Sequence, residues 1–521
     1  MSLLKRTAEV LIGNTVARVL LLAFELSFVS ALGTKTFGNW SILFSLLMFT
    51  SGLAVCGLDY GVIHFLATYQ TEKGVQRART LIRGVLAVTC IAGLLVGAGI
   101  FLAAPFIANS ILDKPELVGS LRLVSLILPL EAMNLLIGSA LRGERHFRQS
   151  VIVTTLIRNG CLFCLAPMFF VFAISLEHAV SLLLAGSSVA CLYGLFSIRH
   201  LAANCGGKNN DWSFLTDVCR YSFPLLMCNV FSRFAPLAVF LAGVYLKAAD
   251  VGVFALMLSL LVLFTFPQRA VAATAPVEFA RLFHLGRHER LAALYHRVSR
   301  GMMIVSSFIA IPLTVASATL LPLWKPEMEH VSLLFLPLIA IQLCSVGMGP
   351  VGQLLIYTQG NWVFLRISTL VVVVQLTLFT VLAPSFGLTG VVIAQCSTML
   401  VNLVIRHLAS FRNIGIHSMN IGSFALLAMA ALSSSVGLSC GMYERSLACG
   451  LTSIVIALIV YVVLLVLAMA FTSPHSLTLI ASRMGIVRFW DSRSDTTITP
   501  ETMLPKSHNP QDSAHAARCT L

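Results

Sequence analysis

Runs of about twenty apolar residues, separated by short polar stretches, recur along nearly the whole chain. Each run is long enough to cross ~30 Å of hydrocarbon as an α-helix. The pattern predicts fourteen crossings, at 8–32, 38–65, 84–108, 118–141, 150–173, 178–198, 222–246, 251–275, 300–321, 331–356, 367–384, 388–409, 421–440 and 447–471. The intervening segments on one side are very short, for example Leu112-Asp-Lys-Pro-Glu116 and Lys247-Ala-Ala-Asp250. The largest on the other side are 199–221 and 277–299, and none has room for an inserted soluble domain. From Phe279 to Leu291 apolar and basic residues interleave, which predicts a short amphipathic helix on the membrane surface, with a solvated basic loop as the alternative. The first run is too long for a cleaved leader, is interrupted by Arg18 and Glu25, and has no small-x-small site after it, so it is expected to stay as a membrane helix. Near residue 472 the apolar pattern stops. The segment from His475 to Trp490 is expected at the interface, and disorder is expected from about 491.

The pattern also repeats. Asn14-Thr-Val-Ala-Arg18 in the first run matches Asn229-Val-Phe-Ser-Arg233 in the seventh. At nearly the same offset, Gly38 and Ser45 match Gly252 and Ser259, Phe65 matches Phe279, and Ile137-Gly138 matches Val351-Gly352. The chain therefore reads as an all-α polytopic membrane protein of two pseudo-symmetric six-helix bundles. They span 1–200 and 222–410, followed by an extra helix pair over 421–471 and the segment 472–521. Such repeats with polar residues at mid-depth are a common plan of secondary transporters.

Composition narrows the class. With 58% hydrophobic residues, 11% charged residues and a mean hydropathy of +0.90, the chain is too apolar for a water-soluble globule. The net charge of +14 comes from basic residues concentrated on one side of the predicted crossings. The other side holds only Lys35, Lys114, Lys247, Lys325 and Arg445. The positive-inside rule then puts both termini in the cytoplasm. Basic residues scattered over short loops make no nucleic-acid surface. The thirteen cysteines are spread singly, mostly inside apolar runs where they act as small hydrophobes, and Cys161 and Cys164 have no further ligands nearby, so neither a metal nor a cofactor is expected.

Two apparent motifs carry no chemistry. Gly347-Met-Gly349-Pro-Val-Gly352 fits the dinucleotide fingerprint but lies in an apolar helix with no preceding strand. Its proline and glycines predict a deformable point at Gly349 and Pro350, with Pro129 as a second candidate hinge. Gly206-Gly207-Lys208 lacks the upstream glycine of a phosphate loop, and the chain has no HExxH, no Asp-x-Asp and no large outer loop, so an enzyme is not expected. The ionisable groups inside the apolar runs remain, and such groups are functional hypotheses by default. Arg18, Arg233, Arg269 and Arg158 are the candidate substrate-binding cations, and Glu131, Glu25 and Asp59 the candidate ion-coupling acids. Interhelical ion pairing is the alternative for each. Arg122 lies near a helix end, where it can reach water. Arginines outnumber acids in this set, which favours an anionic substrate.

Three stretches carry a family resemblance: Gly57-Leu-Asp-Tyr-Gly61, Leu141-Arg-Gly-Glu-Arg-His-Phe147, and Gly349-Pro-Val-Gly-Gln-Leu-Leu-Ile-Tyr-Thr-Gln-Gly360. In order and spacing, over about residues 1–471, the chain resembles polysaccharide repeat-unit flippases. These are the oligosaccharide-lipid branch of the multidrug/oligosaccharidyl-lipid/polysaccharide (MOP) exporter superfamily, related to lipid II flippases and MATE transporters. The resemblance implies two six-helix bundles arranged as a V around a cavity. It also implies transfer of undecaprenyl-pyrophosphate-linked oligosaccharides from the inner to the outer leaflet of a bacterial cytoplasmic membrane. In the related lipid II flippases an arginine of helix one lines the cavity, and Arg18 occupies the matching position. The implied partners are the lipid-linked oligosaccharide and membrane lipid, with a polysaccharide polymerase and a chain-length regulator as further candidates. A multidrug or cation antiporter of the same superfamily, which would want acids facing the cavity, and a non-transporting membrane scaffold remain the other readings.

Overall fold

A backbone crossing hydrocarbon must satisfy its own hydrogen bonds, and a helix does so within one segment. The computed structural model describes residues 3–68, 72–144, 146–171, 175–202, 234–264, 275–324, 329–359, 361–417, 421–441 and 446–472, with a few isolated residues between them. These residues are helical almost throughout, with no strand among them. Arg233, Arg269 and everything after Thr472, including the expected interfacial segment and tail, lie outside the described residues.

The first half comprises α1 (Leu3–Ala54), α2 (Leu58–Thr68), α3 (Glu72–Phe106), α4 (Val118–Gly143), α5 (Phe147–Phe170) and α6 (Leu176–Ala202). The second comprises α7 (Phe234–Tyr245), α8 (Ala248–Leu261), α9 (Ala275–His284), α10 (His288–Trp324), α11 (Glu329–Gly347), α12 (Val351–Gln359) and α13 (Asn361–Ile414). The extra pair is α14 (Ile421–Gly441) and α15 (Leu447–Thr472). Nine stretches among the described residues are long and apolar enough to cross a membrane, and Ala248–Phe264 and Ser332–Gly347 are shorter apolar helices. Two of the nine each hold two predicted crossings. In α1 the backbone breaks at Gly33 (φ 80°), and in α13 at Gly387 (φ 58°). With α7, whose predicted crossing begins outside the described residues, this accounts for the fourteen predicted runs.

Two local expectations are corrected. The predicted second crossing, 38–65, is not one helix. It breaks between α1 and α2, where Cys56 and Gly57 take positive φ. The predicted surface helix, Phe279 to Leu291, divides between the end of α9, a turn at Leu285 to Arg287 and the start of α10, and the apolar face of α9 packs on protein. Phe279 and Leu282 are buried with Leu291 and Tyr295 of α10 and Leu354 and Leu355 of α12. Its polar side, with Arg281, and the turn at Leu285 to Arg287 are exposed.

Residues 1–462 form one compact unit; of the second unit, 463–521, only the end of α15 is described. Within the first unit α1 packs on α4 and α5 of its own half and on α7 and α8 of the other. The contact with α8 is close and reciprocal. A β-carbon on Gly38 would fall 1.7 Å from the Ala248 carbonyl oxygen, and one on Gly252 would fall 2.2 Å from the Thr34 carbonyl oxygen. Gly38 and Gly252 are repeat equivalents, and Thr34 and Ala248 stand at the same offset. Only glycine lets two helix backbones approach this closely, the usual basis of tight packing in membranes, where apolar burial gives helices little reason to associate. Beside it the buried Lys114, in the α3–α4 link, donates to the carbonyls of Gly243 (2.6 Å) and Leu246 (3.1 Å) at the end of α7. That places a cation at a helix C-terminus, where it is favoured. Burial pushes the Lys114 ammonium below its ordinary value, against the pull of Glu116 and Asp113. Leu95, Leu102, Leu192 and Phe170 are exposed, as side chains facing lipid should be.

Candidate functional site

Arg18 lies about halfway along the first crossing, on the side of α1 facing the second half. Its guanidinium donates to the backbone carbonyl of Ser259 on α8 at 2.8 Å. Ser259 is the repeat equivalent of Ser45. The same guanidinium stands 3.9 Å from Glu25. The two are seven residues apart, close to two turns on one face of the helix, and the long arginine stem spans much of the rise between them. The arginine is 14% exposed and Glu25 is 8% exposed as side chains, yet one guanidinium nitrogen, Nε, and one Glu25 oxygen have no hydrogen-bond partner among the described residues. A contact of 3.9 Å is a loose ion pair, so Arg18 keeps hydrogen-bonding capacity in a place with little water.

Arg158 stands differently. Its guanidinium donates to Glu131 at 2.7 Å, and the Ser187 hydroxyl donates to the other Glu131 oxygen at 2.5 Å. The guanidinium also lies over the Phe44 ring. Neighbouring amides complete the network. Asn159 donates to the Ala17 carbonyl, directly before Arg18, and Asn134 donates to the Ser187 carbonyl. The network ties α1, α4, α5 and α6 together, and in it Arg158 and Glu131 neutralise one another. Neither therefore presents a net charge to a ligand, which favours the pairing alternative for both.

The other candidates fall in separate places. Asp59 is buried in the first turn of α2, just past the break at Cys56 and Gly57. Pro129 does not interrupt α4. Lacking an N–H, it leaves the Ser125 carbonyl without its usual donor, and α3 packs closely there. A β-carbon on Gly97 would lie 2.7 Å from that carbonyl oxygen, and one on Gly93 would lie 2.9 Å from Pro129 Cα. Gly349 and Pro350 do mark a break, between α11 and α12, with Gly349 at φ 80°. The Tyr295 hydroxyl donates to the Met348 carbonyl at the break, and a β-carbon on Gly349 would fall 1.9 Å from Ser299 Oγ.

A cavity of about 290 Å³ opens at this break, lined by Gly349 to Gly352, Ser345, Phe364, Asn402 and Arg406. Arg406 is not among the candidate cations of the sequence, because it lies three residues from the end of its predicted crossing. The signal was present: Asn402-Leu-Val-Ile-Arg406 repeats the spacing of Asn14 to Arg18, which puts both side chains on one helix face.

Residues 31–324, more than half of the chain, match the family described as Polysaccharide biosynthesis protein. The chain belongs to that family. The matched stretch includes the Glu131–Arg158 network and the Gly38–Gly252 contact; Arg18 and Arg406 lie to either side of it. No curated protein matches the chain in sequence. Among solved structures, the lipid II flippase MurJ in an inward closed conformation superposes with a TM-score of 0.67 at 12% identity, covering 88% of this chain and 98% of that one. An inward-facing multidrug resistance MATE family transporter of the MOP superfamily superposes with a TM-score of 0.63 at 16% identity, covering 76% and 94%. A MOP superfamily transporter from Pyrococcus furiosus, described as having a binding pocket of reverse polarity, superposes at 0.52 and 16% identity, covering 79% and 95%. This polysaccharide biosynthesis protein is thus a multi-pass membrane protein with the MOP fold.

Proposed function

We propose that the protein is a flippase for undecaprenyl-diphosphate-linked oligosaccharides, moving them from the inner to the outer leaflet of a bacterial cytoplasmic membrane for surface polysaccharide synthesis. Both termini face the cytoplasm in this reading. The observation that carries it is Arg18, a half-buried cation at the contact between the halves, loosely paired and with one donor unused among the described residues. A diphosphate carries about two negative charges and loses its water on entering hydrocarbon. Charge-assisted bonds from a planar guanidinium replace that water. Arg233, the repeat counterpart of Arg18, and Arg269 are the proposed further contacts, while the polyprenyl tail stays in lipid. Moving two negative charges out of a negative-inside cell is downhill by ~4–5 kcal/mol at 100 mV, so the membrane potential suffices to drive the substrate step. Ion coupling through Glu25, Glu131 or Asp59 would add to it without being required.

The test is export in cells. Arg18→Ala is expected to abolish surface-polysaccharide export at unchanged protein level, and Arg233→Ala to do the same. Arg18→Lys should restore little, because it supplies charge without the donor fork. Normal export by the Arg18→Ala/Arg233→Ala double variant would remove the basis of the proposal.

A further inference from the structure

We propose that the cavity at the start of α12 is a binding site for a phosphate-class oxyanion. It is held by Arg406, Asn402 and the Gly352 amide in the first turn of α12. This site is separate from Arg18 and does not depend on the flippase reading.

Three observations point to an anion, and a fourth group can adapt to it. Arg406 enters the cavity with no carboxylate among the lining residues. Its Nε is sealed from solvent and has no acceptor among the described residues. Leaving a shielded guanidinium donor without an acceptor is expensive, and more so for a charged group than for a neutral one. An oxyanion accepting from it removes that penalty. The guanidinium lies over the Phe364 ring, 5.5 Å from its centroid, which limits its swing toward water. The Asn402 amide also lines the cavity, with its Oδ1 buried and without a partner among the described residues. The amide can present either its oxygen or its NH2 to the cavity, so it can serve an oxyanion as donor or a protonated phosphate as acceptor.

The backbone adds to this. The break at Gly349 starts α12 at the cavity wall, and the first turn of a helix has amides with no acceptor inside the helix. Of that turn, Val351 donates its amide to the Gly349 carbonyl at 2.9 Å, which leaves the Gly352 amide as the backbone donor in the cavity wall. The dipole of the nine-residue α12 favours negative charge at this end. The break is braced from outside by the Tyr295 hydroxyl on the Met348 carbonyl, so the amides are held in place. A volume near 290 Å³ suits a phosphate or diphosphate group and is too small for a sugar chain. Arg406 lies three residues inside the predicted end of its crossing at 409, a depth open both to a lipid headgroup and to a soluble anion.

The experiment reads the cavity directly. Ser345→Cys, as the single cysteine of the full-length protein in detergent, places a thiol in the wall for alkylation. Pyrophosphate is expected to slow that alkylation in a saturable way. Arg406→Gln should raise the pyrophosphate concentration giving half-protection by about tenfold or more. The same measurement in phosphatidylcholine nanodiscs, with and without undecaprenyl phosphate, separates the sources. Protection by the lipid alone assigns a headgroup, and protection by pyrophosphate alone assigns a soluble anion; either supports the site. Absence of protection by both, or protection unchanged in a monodisperse Arg406→Gln protein, overturns it. If Arg406→Gln aggregates, Gly352→Leu decides, because it fills the cavity and keeps the charge: undiminished protection there overturns the site. Arg18→Ala, which tests export, should leave protection at Ser345→Cys intact, so the two proposals fail separately.

Discussion

At the scale of single residues, three arginines, Arg158, Arg18 and Arg406, differ in what they face. Arg158 has a carboxylate at 2.7 Å, Arg18 has one at 3.9 Å, and Arg406 has none in its cavity. A buried pair in good geometry is quiet until one partner is removed. Glu131→Gln should leave Arg158 charged and unpaired, destabilising the protein by about 3–5 kcal/mol, and Glu131→Gln with Arg158→Met should recover most of that loss. Melting temperatures in detergent check both. A Glu131→Gln protein of normal stability whose flipping no longer responds to a pH or sodium gradient would assign Glu131 to coupling instead. The depth of Arg18 and Arg158 was legible in the sequence, because a cation among apolar residues is visible in one dimension. Their partners were not, since nothing in the chain says that α4, α5 and α6 meet around residue 131. Arg406 lies near the end of its predicted crossing, where a cation carries no signal of burial in one dimension. Only the neighbouring break at Gly349, fifty-odd residues earlier, turns its surroundings into a cavity.

At the scale of elements, hydropathy located the crossings well and their interruptions poorly. A break made by glycine in an apolar run leaves hydropathy unchanged, so the one between α1 and α2 at Cys56 and Gly57 was invisible. The α11–α12 break was readable because a proline accompanies the glycine. Pro129, a proline without a neighbouring glycine, does not interrupt its helix, and α3 packs closely there through Gly93 and Gly97. A proline thus signals a missing hydrogen bond, and the packing around it determines what the missing bond becomes. Gly349→Ala should be destabilising by about 1–3 kcal/mol from the positive φ alone, with the Ser299 hydroxyl also obstructing the new methyl. A lowered melting temperature checks this, and an unchanged one would mean that the break is not held at that residue.

At the scale of the whole molecule, fold class, repeat and family resemblance were all legible, because a bilayer imposes its own period on any chain that crosses it. Orientation follows from the distribution of basic residues. With single cysteines in intact cells, Lys247→Cys should react with an impermeant maleimide from outside, and Arg287→Cys only after permeabilisation; both positions are exposed. Labelling of Arg287→Cys in sealed cells would invert the topology and, with it, the direction of transport. The contact between Gly38 and Gly252 has a consequence for how such a chain arose. It is self-complementary: each half offers the same glycine and receives it on the same carbonyl position. A six-helix ancestor bearing that surface needed no second gene to complete the interface, because two copies would meet as the halves do here. Duplication and fusion would then have preserved an existing homodimer contact, leaving each copy free to diverge everywhere except at that one crossing.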